Sequence, residues 1–226
     1  MKRWLILFLS LFLSQSIFAQ PLGFSIRGTY QEGIPKQELE NVATITDLNS
    51  GYPSSWISGY ISVDVEVCPP NGQEILATGR DDRFTNEQIA LINQADYDSD
   101  INVVVKYQPE GIEIKEVNFT YTVIPEQEAA YLGGEEALRA YVKENAIDKI
   151  PSDIRKQIEL AILSFKIGKM GEILEPQILQ ESSFPEIDKM LLHCLKKMPS
   201  WIPAKNAEGQ YITQDFVLNV GYMAGC

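Results

Sequence analysis

Apolar residues fall at every second place in Ile61-Ser62-Val63-Asp64-Val65-Glu66-Val67, with polar residues between them. Period two sends one kind of side chain to each side of an extended backbone, so this run predicts a half-buried strand. Cys68-Pro69-Pro70-Asn71-Gly72 then stops it. Ile101, Val103, Val105 and Tyr107 repeat the pattern, and Val117, Phe119, Tyr121 and Val123 repeat it again after Gln108-Pro109-Glu110-Gly111. Two alternating runs around a turn-forming stretch predict a hairpin. Thr85-Asn86-Glu87-Gln88 is a Thr-x-x-Gln capping box, expected to open a short helix through Ile89 and Ile92. Residues 20–124 therefore read as a mostly-β, sandwich-like domain.

The pattern changes after Pro125-Glu126-Gln127-Glu128-Ala129-Ala130, a short acidic joint too poor in Gly and Ser for a flexible tether. In residues 131–226, Glu135 and Glu136 sit where a helix start favours negative charge, and Leu138, Tyr141 and Val142 follow at helical spacing to about Asn145. Ile158 to Ile167 reads as a strand with apolar residues on both faces, expected of a strand covered on both sides. Gly168-Lys169-Met170-Gly171-Glu172 turns the chain, and Ile173 to Leu179 returns. A helix over about Pro185 to Lys197 carries Ile187, Leu191, Cys194, Leu195 and Met198 on one stripe, and a strand from Tyr211 to Val220 follows. The order helix, strand, strand, helix, strand places the chain in the α+β class.

Several stretches of that half go together. Gly133-Gly134-Glu135-Glu136-Ala137-Leu138 opens the first helix, Ile150-Pro151 precedes the first strand, and Gly171-Glu172-Ile173 makes the hairpin turn. Lys197-Met198-Pro199-Ser200-Trp201-Ile202-Pro203-Ala204 marks the exit of the last helix. As a set, residues 131–220 resemble the TonB C-terminal domain family, whose last helix ends in a similar Met-Pro-x-Trp-x-Pro-Gly. Ala204 stands where the family has glycine. Pro199 and Pro203 can continue neither a helix nor a central ladder, so they steer an extended crossover, and Trp201 between them suits a core lid.

The resemblance implies a periplasmic protein that captures an extended segment of an outer-membrane transporter as an added strand, in energy-coupled transport. The strand expected to receive it is Tyr211, Ile212, Thr213, Gln214, Asp215, Phe216, Val217, Leu218, Asn219 and Val220. An edge strand offers unpaired N–H and C=O groups to such a segment. Energised members also carry a full membrane helix with a functional His and then a long Pro-rich spacer. Here the apolar N-terminal segment has no His, and a β-domain stands in place of the spacer. The alternative expectation is a non-catalytic envelope scaffold that uses the TonB-like fold as a packing module.

Charge and composition narrow the rest. The 226 residues hold 19 Lys+Arg against 31 Asp+Glu, a net charge of −12 that excludes a nucleic-acid binder needing a basic surface. Met1-Lys2-Arg3, the apolar run Trp4 to Leu13 and a small residue at Ala19 are the parts of a secretory signal over residues 1–19. Uncleaved, residues 4–19 would instead associate the protein with the inner membrane. Export would permit disulfides among Cys68, Cys194 and Cys226, of which Cys68 and Cys226 could bridge.

Neither catalysis nor a cofactor is expected. His193 lies off the apolar stripe, and one His beside one Cys makes no zinc site. Asp96-Tyr97-Asp98-Ser99-Asp100 alternates carboxylates, but Ile101 and Tyr107 stand where an EF-hand needs Gly and Glu, so it reads as a solvated turn. The sequon Asn118-Phe119-Thr120 lies within an expected strand. No nucleophile elbow, zinc-protease motif or phosphate loop occurs.

Overall fold

A computed structural model describes residues 22–29, 32–70 and 72–221. In chain order it contains β1 (Gly23–Gly28), β2 (Gly33–Pro35), α1 (Ile45–Leu48), β3 (Tyr60–Cys68), β4 (Ile75–Gly79), α2 (Asn86–Gln94), β5 (Asp100–Tyr107) and β6 (Lys115–Ile124). There follow β7 (Ala130–Tyr131), α3 (Gly134–Asn145), β8 (Ala161–Ile167), β9 (Ile173–Gln180) and α4 (Pro185–Lys196). Short strands β10 (Trp201–Ile202), β11 (Ala204–Lys205) and β12 (Tyr211–Ile212) lead into β13 (Gln214–Gly221). The class is α+β, mixed helix and sheet in several sheets.

The alternating runs of the first half make one five-stranded sheet in the order β2-β6-β5-β3-β4. Val63, Val65 and Val67 lie opposite Val105, Val103 and Ile101, and all six are buried. The β5–β6 hairpin sets Val103 against Phe119 and Val105 against Val117. What covers the apolar face corrects the sandwich-like expectation. The second layer is helical: Leu39 in a tight turn at 36–41, Ile45 of α1 and Ile92 of α2 complete the core. Both halves of the Thr85–Gln88 capping box are present. The opposite face is polar and internally bonded, with Asp64 accepting from Ser62 and Thr78 and Glu66 accepting from Asn102.

A second core forms around a four-stranded antiparallel sheet, order β1-β13-β8-β9, with α3 and α4 packed on one face. Leu163, Phe165 and Ile167 of β8 and Phe216, Leu218 and Val220 of β13 point to Val142, Leu191 and Leu195 of the helices. β8 has a neighbour on each side but, among the described residues, is covered on one face only. Ile162, Ser164 and Lys166 are half-buried on the other, which corrects the two-sided expectation. Residues 22–28 also fall elsewhere than expected, since Leu22, Phe24 and Ile26 pack in this second core.

The crossover after α4 is tied down at successive points. Trp201 pairs with Tyr131, Ala204 with Ile212, and Gln127 and Lys205 exchange backbone hydrogen bonds at 3.1 and 2.8 Å. Between the two sheets, the Glu126 carboxylate accepts from the Gln37 backbone N–H (2.9 Å) and the Tyr97 hydroxyl (3.1 Å).

Candidate functional site

A sheet recruits a strand only where an outer edge is unpaired and not defended. β9 is a defended edge: Pro176 lacks an N–H, Glu175 takes a φ of 50°, and the pairing with β8 shifts register on either side. In the first sheet, β2 is three residues long and ends at Pro35, and β4 at the other edge is a five-residue strand in even register with β3. β1 is longer than either. It runs Gly23-Phe24-Ser25-Ile26-Arg27-Gly28 in unbroken register with β13, with neither Pro nor bulge, and no described strand pairs with its other side. Phe24 and Ile26 face the helices, while Ser25 faces outward and its hydroxyl accepts from the Asn219 amide at 3.4 Å. The flank of α3 lies alongside, so Phe24, Ser25, Ile26, Leu138, Glu135 and Arg139 line one groove. The Glu135–Arg139 ion pair, 2.9 Å across one helical turn, sits on its rim.

The last strand is not the edge that the sequence reading places there. Tyr211 and Ile212 pair with β11 in a separate ribbon, and Thr213 connects it to β13. Gln214, Asp215, Phe216, Val217, Leu218, Asn219 and Val220 form an interior strand, with β8 on one side and, from Phe216 onward, β1 on the other. The covering strand comes from 194 residues earlier in the chain, a distance no local pattern reports. Gln214, at 2% exposure, accepts from the Ala129 N–H at 2.7 Å and donates to Glu128 at 2.8 Å, anchoring the joint to the sheet. Trp201 is buried between the exposed Pro199 and half-buried Pro203. β1 falls outside the strands that the sequence pattern predicts, although Phe24-x-Ile26 between Gly23 and Gly28 carries the period-two signal.

A charged cluster lies on the uncovered face of the second sheet. Lys166 meets Glu175 at 3.0 Å and lies opposite Asp215, around a hollow of about 120 Å³ that Thr29, Ser164 and Gln177 also line. Glu175 first, then Asp215, hold the Lys166 ammonium above its usual range, so it is neither a free base nor a nucleophile. Asp98, from the first unit, sits in the field of this cluster. Partial burial and then the Asp215 charge push its carboxyl up to about 6, against the pull of Lys166.

The sign of the pH effect follows. The folded chain holds a proton on Asp98 that the unfolded chain releases between the ordinary 3.8 and about 6, so this carboxyl opposes folding above that window and relaxes below it. Asp98 has a φ of 64°, which asparagine also tolerates. Asp98→Asn should therefore stabilise the protein by about 1 kcal/mol at pH 8, after discounting for solvent screening, and by almost nothing at pH 4. Urea titrations of both proteins at the two pH values measure this. An equal difference at both would remove the electrostatic explanation.

The remaining candidates stay apart. His193 is exposed on α4 while its neighbour Cys194 is buried, so the two do not act together. Burial raises the Cys194 thiol to about 11, and burial with nearby Glu74 raises Cys68, so both remain thiols at neutral pH. Cys226, with which Cys68 could bridge, and the signal segment fall outside the described residues. Asn118 is exposed on β6. Among the described residues, no group of three or more His, Cys, Asp or Glu could hold a metal ion, and no helix is long and apolar enough to cross a membrane. No family model, curated protein or solved structure matches the chain.

Proposed function

We propose that this is an exported, non-catalytic interaction protein of the cell envelope, TonB-like in its second half, that takes up an extended segment of a partner by strand addition. The acceptor is the outer edge of β1. The observation that carries this reading is the contrast between the two edges of one sheet, β9 defended by Pro176 and a kink, β1 undefended and flanked by a groove. Main-chain hydrogen bonds would supply affinity, with the shallow groove between β1 and α3 running alongside the added strand. The partner that the resemblance names is a segment of an outer-membrane transporter.

Envelope extract passed over the immobilised full chain, beside Ser25→Pro and Ile26→Pro, tests this. Successive N–H groups of a strand point to opposite sides, so one proline removes a bond to β13 and the other removes a donor from the open edge. Circular dichroism tells them apart. The variant that keeps the fold should lose the partner. If it recovers the same proteins as the wild type, strand addition at β1 is wrong. The envelope-scaffold reading then gains, because a first unit with its own core stands where a spacer would be.

A further inference from the structure

We propose that in the free protein the open edge of β1 is closed by β1 of a second copy, the two strands pairing antiparallel about a two-fold axis at Ser25. The inference rests on the same premise as the proposed function, that this edge is available, and adds what occupies it before a partner arrives.

Register selects the pairing. Directly opposed residues of an antiparallel pair lie on the same face of the sheet, so Phe24 and Ile26 must meet residues that also face the helices. Centring the pair on Ser25 sets Phe24 opposite Ile26 of the second copy, and Ile26 opposite its Phe24. Both apolar pairs fall on the helix side, where aromatic–β-branched cross-strand pairs are favourable. Ser25 meets itself, and Arg27 meets Gly23, so no like charges are opposed. Centring on Ile26 leaves one apolar pair and sets Phe24 against Gly28. Centring on Arg27 opposes two cations. A shift by one residue turns Phe24 and Ile26 toward polar partners. The Ser25-centred register therefore satisfies both faces at once.

Charge does not oppose the same seam. The chain carries a net −12, yet beside this edge each copy contributes Arg27, Arg139 and Glu135. Two copies approach there without setting negative surface on negative surface. Pairing also closes the edge that would otherwise invite indiscriminate association. The result is an eight-stranded sheet across the dimer, with the defended β9 at both ends. Six-residue strands make a small interface, so the dimer is expected to dissociate on dilution.

Cross-linking reads the register directly. In a Cys68→Ser, Cys226→Ser background, Ser25→Cys places two thiols across the axis at the separation of opposed residues, within disulfide reach. Arg27→Cys places its two thiols about 14 Å apart along the strands, out of reach. Under mild oxidation Ser25→Cys should form covalent dimer at least tenfold faster than Arg27→Cys. Sedimentation of the unmodified protein should show a concentration-dependent dimer. A monomer at all concentrations, with equal cross-linking of both variants, overturns the inference.

The outcomes also separate the inference from the proposed function. Oxidised Ser25→Cys should fail to recover the partner and regain it on reduction. A dimer that still captures the partner keeps the inference and removes β1 as acceptor. A monomer whose capture depends on β1 does the reverse.

Discussion

Trp201→Ala is expected to cost roughly 3–5 kcal/mol, toward the upper end of what truncating a large core aromatic removes. The indole is 6% exposed and stands edge-on to Tyr131 (5.6 Å, 83°) and Phe165 (6.2 Å), and tilted against Phe216 (5.0 Å). Its N–H points to the Met198 sulfur at 3.3 Å. One side chain thus joins β7, β8, β13 and the exit of α4, and truncation leaves a void that those rings cannot fill without moving the sheet. The backbone around it is just as tightly held. The Trp201 N–H donates to the Gly171 carbonyl at 2.8 Å, and a Cβ on Gly171 would come within 2.0 Å of the Trp201 carbonyl oxygen. Gly171 also has a φ of 81°, so Gly171→Ala should destabilise the same sheet by a different route. Urea unfolding followed by circular dichroism measures the loss. A cost below about 1 kcal/mol for Trp201→Ala would mean that the cluster is not what closes this core.

That lid was readable in the sequence because its cause is local. Two prolines stop a helix and a ladder, and a large aromatic between them has to bury itself. The strands β3, β5 and β6, the cap of α2 and the stripe of α4 were readable for the same reason, since period and capping act over a few residues. What escaped depends on distance in the chain. The layer over the first sheet comes partly from α1, whose four residues are too few for helical periodicity to show, although Thr44 and Asp47 form a capping box. Tyr211 to Val220 has the look of an edge strand from its own residues alone, yet from Phe216 onward it is an interior strand. Its coverage by β1 is decided by Phe24 and Ile26, whose apolar side chains have no other core to enter. Any strand acceptor at that end of the sheet would therefore be β1 and not β13.

Gln88 shows both kinds of information in one side chain, and Gln88→Glu should have the second large effect. The residue is fully buried. Its carbonyl oxygen accepts from the Thr85 N–H at 2.9 Å, the half of the arrangement that the capping box announces. Its amide nitrogen reaches across the core to the Val63 carbonyl at 2.8 Å and, more loosely, the Ala77 carbonyl at 3.4 Å. The helix start is thereby bonded to β3 and β4, where Gly79 leaves room because a Cβ there would lie 2.6 Å from the Gln88 oxygen. Glutamate keeps the shape and the cap but replaces the donor with a second acceptor, which faces two carbonyls without water. At pH 8 the cost should be on the order of 3 kcal/mol, combining the buried charge with the unsatisfied Val63 carbonyl. Burial raises the carboxyl's pKa, and its protonated form can donate again, so the folded state binds a proton that the unfolded state has lost. Stability should then recover as pH falls toward 5, by more than the gain that Asp98 gives the wild type over the same range. Gln88→Leu, with neither donor nor charge, should cost about 2 kcal/mol at both pH values. If the glutamate variant loses the same amount at pH 5 as at pH 8, the missing donor to Val63 is not the cause, and the link between α2 and the sheet rests on packing alone.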